Sequence, residues 1–376
     1  MVLGLIKTSF KENERRLPVF PEHLHFVPND LRRSIVLEKG YALSFKITDS
    51  ELESMGFKTK TRDDILTDTD IIVLPKPVPN DLKKIPKGKV LWGWTHCVQN
   101  YDIAQFAIEK KLTYVSWENM HLWAHGNKAM HIFYKNNEIA GYASIIHALE
   151  LMGMDGYYGE RKKVVVFGYG SVSKGAIRAL HGRGFNNITV LSKRPFHLIA
   201  DKDPDVYYSQ YQLNNREIRV VGMGYEKSLI DEIRDADLII NGVLQDVSNP
   251  VNFLSDTDIS YLKPGTLIVD ISCDHGMGFE FATPTSFEKP MLEIGDIYYY
   301  AVDHAPSYLW RAASREISFA LMPYIKGMIA GADEFMKDET IQKAIDIDKG
   351  LVLNKDIIAF QKRQEAYPYK LKFDNK

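Results

Sequence analysis

At 376 residues the chain is longer than one hydrophobic core usually organises, so two domains are expected. Its 47 Lys and Arg nearly balance 49 Asp and Glu, a formal net charge of −2 that lacks the basic surplus of a nucleic-acid binder. Two cysteines, Cys97 and Cys273, suggest no disulfide framework and favour a reducing cytoplasm, and no apolar run approaches the ~20 residues of a membrane span.

The N-terminal MVLGLIKTSFKENERR starts apolar and turns charged, the wrong order for a signal peptide, and reads as a first buried strand. Further strand candidates in the first third are SIVLE, DIIVLPK, KVLWGW and LTYVSW. Helical patterns lie between them, including DSELESMG and NYDIAQFAIEKK, the latter with Ile103, Phe106, Ala107 and Ile108 toward one side. Apolar strands separated by helices predict parallel strands covered on both faces.

EIAGYASIIHALELMG predicts one long helix, with Ile139, Ala143, Ile146, Leu149 and Met152 at spacings of three and four. The alternation then restarts with KVVVFG, NITVLS, DLIING, TLIVDIS and YYYAVD, and from Pro306 onward the pattern is helical. A helical tail of this kind often packs back across the first block, although composition alone fits a simple C-terminal extension equally well. The expected fold is α/β: two doubly wound, Rossmann-like domains separated by a cleft, the first discontinuous in sequence. Residues 1–138 with 305–376 form one, and residues 139–304 the other.

VVVFGYGSVSKGA carries a candidate dinucleotide turn. Gly168 and Gly170 follow a buried strand and allow backbone N–H groups close to a pyrophosphate. Ser171 and Val172 then open a helix whose N-terminal dipole favours phosphate. Ser173 stands where the fingerprint has a third glycine, a position that serves helix–strand packing, and it adds only a small side chain. A tight βα turn in an unrelated α/β protein is the competing reading. The next strand, NITVLS, ends in Ser192, Lys193 and Arg194 instead of the acidic residue an NAD site usually places on the ribose. A hydroxyl and two cations suit a 2′-phosphate and favour NADPH over NADH, unless the two cations are merely solvated.

Polar residues end the strands of the first block: Lys76 between Pro75 and Pro77, His96 after KVLWGWT, and Glu118 after LTYVSW. Strand ends of this kind face one crevice in an open parallel sheet. A lysine and a histidine there could hold a carboxylate and exchange a proton in carbonyl or imine chemistry. Taken alone, His96 among tryptophans is equally a buried structural histidine. One arginine of the Arg15–Arg16 pair could bind a substrate carboxylate, the other being a solvated charge. In the second block Asp274–His275 and Asp303–His304 close two strands. His121, His125 and His131 have no cysteine or acidic residue to complete a recognisable zinc set, and no GxSxG elbow occurs. No metal is expected.

ERRLPVFP, VLPKP, WGWTHCVQN, the glycine turn, ADLIINGVL, VDISCD and YAVDHAPS occur in the order found in the alanine dehydrogenase and saccharopine dehydrogenase superfamily, which the chain resembles over essentially its whole length. WGWTHCVQNYDIA, NNEIAGYASIIHA, IVDISCDHGMGFEFATPTSFEKP and YYYAVDHAPSYLWRAAS look most like the carboxyethylornithine synthase subgroup.

The resemblance implies a substrate domain made of the N-terminal block and C-terminal helices, with a Rossmann domain between. It implies that Arg16 binds a keto-acid carboxylate, Lys76 helps hold and polarise that substrate, and His96 acts as general acid/base. Asp274 falls on an aspartate near the amine. Asn241, Gly242, Val243 and Leu244, with Val302, Asp303 and His304, match segments lining the ribose and nicotinamide.

Alanine dehydrogenases usually carry a glutamine after that aspartate and an asparagine–methionine pair near the nicotinamide. Here His275 and Asp303–His304 stand instead, which moves the reading away from ammonia as nitrogen donor. Saccharopine dehydrogenases share the histidine motif and DHxPS but carry an aspartate after the second Rossmann strand. The implied activity is an NADPH-dependent condensation of an amino acid's side-chain amine, ornithine- or lysine-like, with pyruvate or a similar 2-keto acid. Reductive amination with ammonia, a saccharopine dehydrogenase-like activity and a non-catalytic nucleotide sensor are the alternatives. Oligomeric state, including a homo-oligomer, is open.

Overall fold

In the computed structural model residues 1–214, 217–245 and 250–372 are described. The chain divides into two compact units, Met1–Tyr134 with Trp310–Lys376, and Lys135–Leu309. These bounds fall a few residues from the 138 and 305 expected, because one helix already begins at Tyr134 and another at Trp310.

The first unit opens with six strands: β1 (Leu3–Leu5), β2 (Ile35–Glu38), β3 (Lys58–Lys60), β4 (Ile71–Val73), β5 (Val90–Gly93) and β6 (Thr113–Ser116). They are parallel and lie in the order β6-β5-β4-β1-β2-β3, which reverses direction between β1 and β4. All but β3 are wholly buried, as strands covered on both faces must be. A hairpin follows, β7 (His121–Ala124) and β8 (Asn127–His131). Local capping sets the crossover helices. Thr48 and Glu51 form a capping box before Asp49–Ser54, and Asn100 accepts the Ile103 N–H before Tyr101–Lys110. The buried face of the latter is Ile103, Ala104, Ala107 and Ile108, with Phe106 at its edge.

The second unit repeats the plan. β9 (Lys163–Phe167), β10 (Asn187–Ser192), β11 (Val206–Asn214), β14 (Leu238–Asn241), β16 (Leu267–Asp270) and β19 (Ile297–Tyr300) are parallel, in the order β11-β10-β9-β14-β16-β19. Antiparallel β12 (Glu217–Gly222) and β13 (Tyr225–Ser228) extend one edge, and β18 (Met291–Ile294) the other. A small pair, β15 (Asn252–Leu254) and β17 (Gly278–Phe279), stands apart. In both units the strand order is the 3-2-1-4-5-6 of doubly wound sheets, whose ligands lie beyond the carboxyl ends at the reversal.

The chain then returns to the first unit. The Trp310–Ala330 helix buries Ile317, Leu321, Ile325 and Met328 in a core shared with Leu3, Val19 and Trp92. Beyond it, β20 (Ile345–Asp348) pairs antiparallel with β6, and β21 (Leu351–Val352) pairs with β20. The C-terminal stretch is therefore part of the first sheet as well as of its helical cover.

Candidate active site

In the first unit the predicted residues stand past the carboxyl ends of β1, β4, β5 and β6. Arg15 is exposed and Arg16 is buried. The Arg16 guanidinium donates through Nε and Nη2 to Glu14 at 2.8 and 2.5 Å, and lies 4.9 Å from the Trp94 ring centre. Nη1 has no partner among the described residues, so one corner of the fork remains for an anion. Glu14 also accepts the Arg16 backbone N–H, a local turn that aims the arginine.

Trp94 joins Arg16 to the other strand ends. Its N–H donates to the Pro75 carbonyl at 2.9 Å, beside half-buried Lys76, and its ring meets Trp117 edge-on at 4.8 Å. Two residues on, His96 takes a left-handed φ of 45° and donates its N–H to Glu118 Oε1 at 2.6 Å. Thr95 Oγ1 donates to the same oxygen at 3.2 Å. Glu118 Oε2 is buried without a hydrogen-bond partner among the described residues. Burial, and then the nearby Asp346 carboxyl, push the Glu118 carboxyl up to about 8, so it keeps its proton at neutral pH.

In the second unit three segments meet at the reversal between β9 and β14. Gly168, at φ 81°, donates its N–H to the Leu191 carbonyl at the end of β10, and Gly242 donates to Phe167. Gly170 has open space where a Cβ would be, and opens the twelve-residue Ser171–Gly182 helix with no side-chain cap. This bare, uncapped helix start fits a pyrophosphate. Ser173 is fully buried, its Oγ against Gly242, where any larger residue would collide with it. A glycine on the neighbouring segment thus makes the room that the missing third glycine would have given. Ser192 is buried, its Oγ accepting the Arg194 N–H at 3.1 Å, whereas Lys193 and Arg194 are exposed.

Asn241, expected to line the cofactor, and Asp270, which the sequence pattern did not single out, organise the remaining loops. Asp270 is fully buried; its Oδ1 accepts from Asn241 Nδ2 at 3.0 Å and from the Cys273 N–H at 3.1 Å, and its Oδ2 from the Tyr299 hydroxyl at 2.8 Å. Burial pushes the Asp270 carboxyl up to about 7. Asn241 Oδ1 accepts the Val243 N–H, and Ser272 Oγ donates to the Val243 carbonyl. These bonds set the exposed Leu244 and the half-buried Asp274 on adjacent loops. His275 is exposed and turns Nδ1 toward the Ala282 carbonyl at 3.0 Å. Past β19, Val302 and His304 are buried, and His304 Nδ1 lies 2.7 Å from Asp303.

Away from these strand ends, His121 and His131 pack ring to ring at 4.6 Å on the β7–β8 hairpin, and His125 sits in its turn. Burial, then His121, push His131 down to about 4. Among the described residues no three His, Cys, Asp or Glu side chains gather as a metal site, and no helix is long and apolar enough to cross a membrane.

The sequence matches the alanine dehydrogenase/PNT N-terminal domain over residues 5–140 and the C-terminal domain over residues 151–355. It is 29% identical to an N(5)-(carboxyethyl)ornithine synthase of Clostridium botulinum, covering 83% of this chain and 90% of that protein. It is 25% identical to an alanine dehydrogenase of Mycobacterium tuberculosis, covering 85% of each. An L-alanine dehydrogenase structure superposes with a TM-score of 0.77 at 18% identity, covering 96% of this chain and 99% of that one. A transhydrogenase structure from Sinorhizobium meliloti gives 0.69 at 17% identity, over 94% and 99%. The chain belongs to the alanine dehydrogenase/PNT family of NAD(P)-dependent oxidoreductases.

Proposed function

We propose that the protein is an NADPH-dependent oxidoreductase that condenses the side-chain amine of an ornithine- or lysine-like amino acid with pyruvate or a similar 2-keto acid. The product is an N-carboxyethyl amino acid. The observation that carries this reading is the group at the first unit's strand ends: a guanidinium with a spare corner, an ammonium, an imidazole and a protonated carboxyl. Relatives named carboxyethylornithine synthase add support.

The nicotinamide cofactor, when bound, supplies the hydride. Gly168, Gly170, Ser171 and Val172 would hold its pyrophosphate; Ser192, Lys193 and Arg194 its adenosine 2′-phosphate. Asn241, Gly242, Val243 and Leu244, with Val302, Asp303 and His304, would line the ribose and nicotinamide. Arg16 and Lys76 would bind the keto-acid carboxylate, Lys76 also polarising the carbonyl, and Glu118 would line the substrate site beside His96. His96 would take a proton from the attacking amine and return one to the carbinolamine hydroxyl, which leaves as water to give the imine. Asp274 would stabilise the cationic imine nitrogen as its carbon is reduced to the secondary amine.

Reductive amination with ammonia is the second reading, favoured by the alanine dehydrogenase relatives. His275 and the Asp303–His304 pair weigh against it. The two separate in an assay of NADPH and NADH oxidation with pyruvate, 2-oxoglutarate or glyoxylate, each with ammonium alone or with a diamino acid. Turnover that requires the diamino acid supports the proposal; equal turnover with ammonium alone supports the second reading.

A further inference from the structure

We infer that Asp346 and Gln361, both from the C-terminal stretch, are positioning residues that hold the His96 turn and the Glu118 carboxyl in working geometry. The inference rests on the reading above that His96 and Glu118 serve the reaction.

His96 occupies a left-handed backbone conformation that non-glycine residues adopt rarely and at some cost. Such a turn persists only if its surroundings hold it. On one side Glu118 accepts the His96 N–H. On the other, the C-terminal stretch bonds to Cys97 and Val98. Cys97 Sγ donates to Asp346 Oδ2 at 3.3 Å, and Gln361 Nε2 donates to the carbonyls of Cys97 at 2.7 Å and Val98 at 3.0 Å. Arg363 in turn fixes Gln361, donating from Nε to Oε1 at 2.6 Å.

Asp346 reaches the second residue of the pair as well. Its Oδ1 accepts from Asn119 Nδ2 at 2.9 Å and from Asn354 Nδ2 at 2.8 Å. Cys97 follows His96 and Asn119 follows Glu118, so one carboxyl, 2% exposed, ties both loops to β20. The Ser116 N–H adds a bond to the Ala344 carbonyl at 2.8 Å. The same carboxyl, itself pushed up by burial, also disfavours ionisation of Glu118, because two buried acids this close resist carrying charge together. Asp346 thus sets both where the pair stands and how Glu118 is protonated.

The test compares Asp346→Asn, Gln361→Ala, His96→Gln and Glu118→Gln in the NADPH oxidation assay, with melting temperature and NADPH affinity as controls. D346N should lower kcat by about tenfold to a hundredfold, leave NADPH affinity within about twofold, and move the titration that contains Glu118 to lower pH. Q361A should lower kcat without that pH movement, because no charge is removed. Inactive H96Q and E118Q beside D346N and Q361A variants with unchanged kcat and pH profile would overturn this inference alone. Fully active H96Q and E118Q would overturn the underlying reading and this inference with it. Should D346N not fold, Q361A decides the positioning claim by kcat.

Discussion

The backbone N–H of His96 donates to Glu118 Oε1 at 2.6 Å, from the end of one parallel strand to the end of its neighbour. The bond fixes a left-handed residue, and Glu118 Oε2 is buried with no hydrogen-bond partner among the described residues. A buried carboxyl with an idle oxygen is costly when charged, which is why it holds its proton so far above the usual carboxylate range.

That cost has a direction in pH. The Glu118 carboxyl is raised above its unfolded value near 4.5, so its contribution to stability is complete below about pH 4.5 and is lost as pH rises through about 8. Urea midpoints of wild type and Glu118→Gln should therefore diverge between pH 5 and pH 9, with the variant losing less. Parallel curves would contradict the buried, protonated state.

Gly170 permits a clean separation of folding from binding. A Cβ at this position meets nothing within 4 Å, and φ is −101°, so Gly170→Ala should melt within a degree or two of wild type. The added methyl would stand where the pyrophosphate approaches the helix start. Dinucleotide affinity, read by titration calorimetry, should fall about tenfold or more.

Cofactor choice is tested at the end of β10. Lys193 and Arg194 are exposed, so Lys193→Ala with Arg194→Ala should leave stability unchanged. Loss of two charge-assisted contacts to a 2′-phosphate should weaken NADPH about tenfold to a hundredfold and NADH by less than about twofold. An equal effect on both cofactors would contradict a contact with the 2′-phosphate.

The β7–β8 hairpin should sense acid. His131 is held below its unfolded value of 6.5, so its contribution to stability is present above about pH 6.5 and is lost as pH falls through about 4. His131→Gln should flatten that loss, which is on the order of 1 kcal/mol for a partly exposed group. Denaturant unfolding at pH 7 and pH 4.5 measures it.

Five of six parallel strands in each unit were legible as apolar runs, because strands covered on both faces are mostly apolar, with polar residues such as Asn241 and Asp270 at their ends. β3 (KTK) and β11 (VYYSQYQLN) were not, being near a sheet edge with polar or alternating sequences. The short IDID of β20 gave no sign that it would pair with β6, since that contact spans more than 200 residues. The same distance hides Asp346 and Gln361 from any reading of the His96 motif. Arg15 and Arg16 look alike in sequence; burial and Glu14 set them apart. Ser173 looked like a defect in the glycine turn, and only the structure pairs it with Gly242.

The measurement closest to the central claim follows the hydride itself. The protein is incubated with NADPH dideuterated at nicotinamide C4, pyruvate and ornithine or lysine, and the products are weighed by mass spectrometry and located by NMR. The account predicts a secondary amine carrying one deuterium on the carbon that was the keto carbon of pyruvate, formed only when the diamino acid is present. Deuterated alanine formed from ammonium, with no secondary amine from either diamino acid, would contradict it.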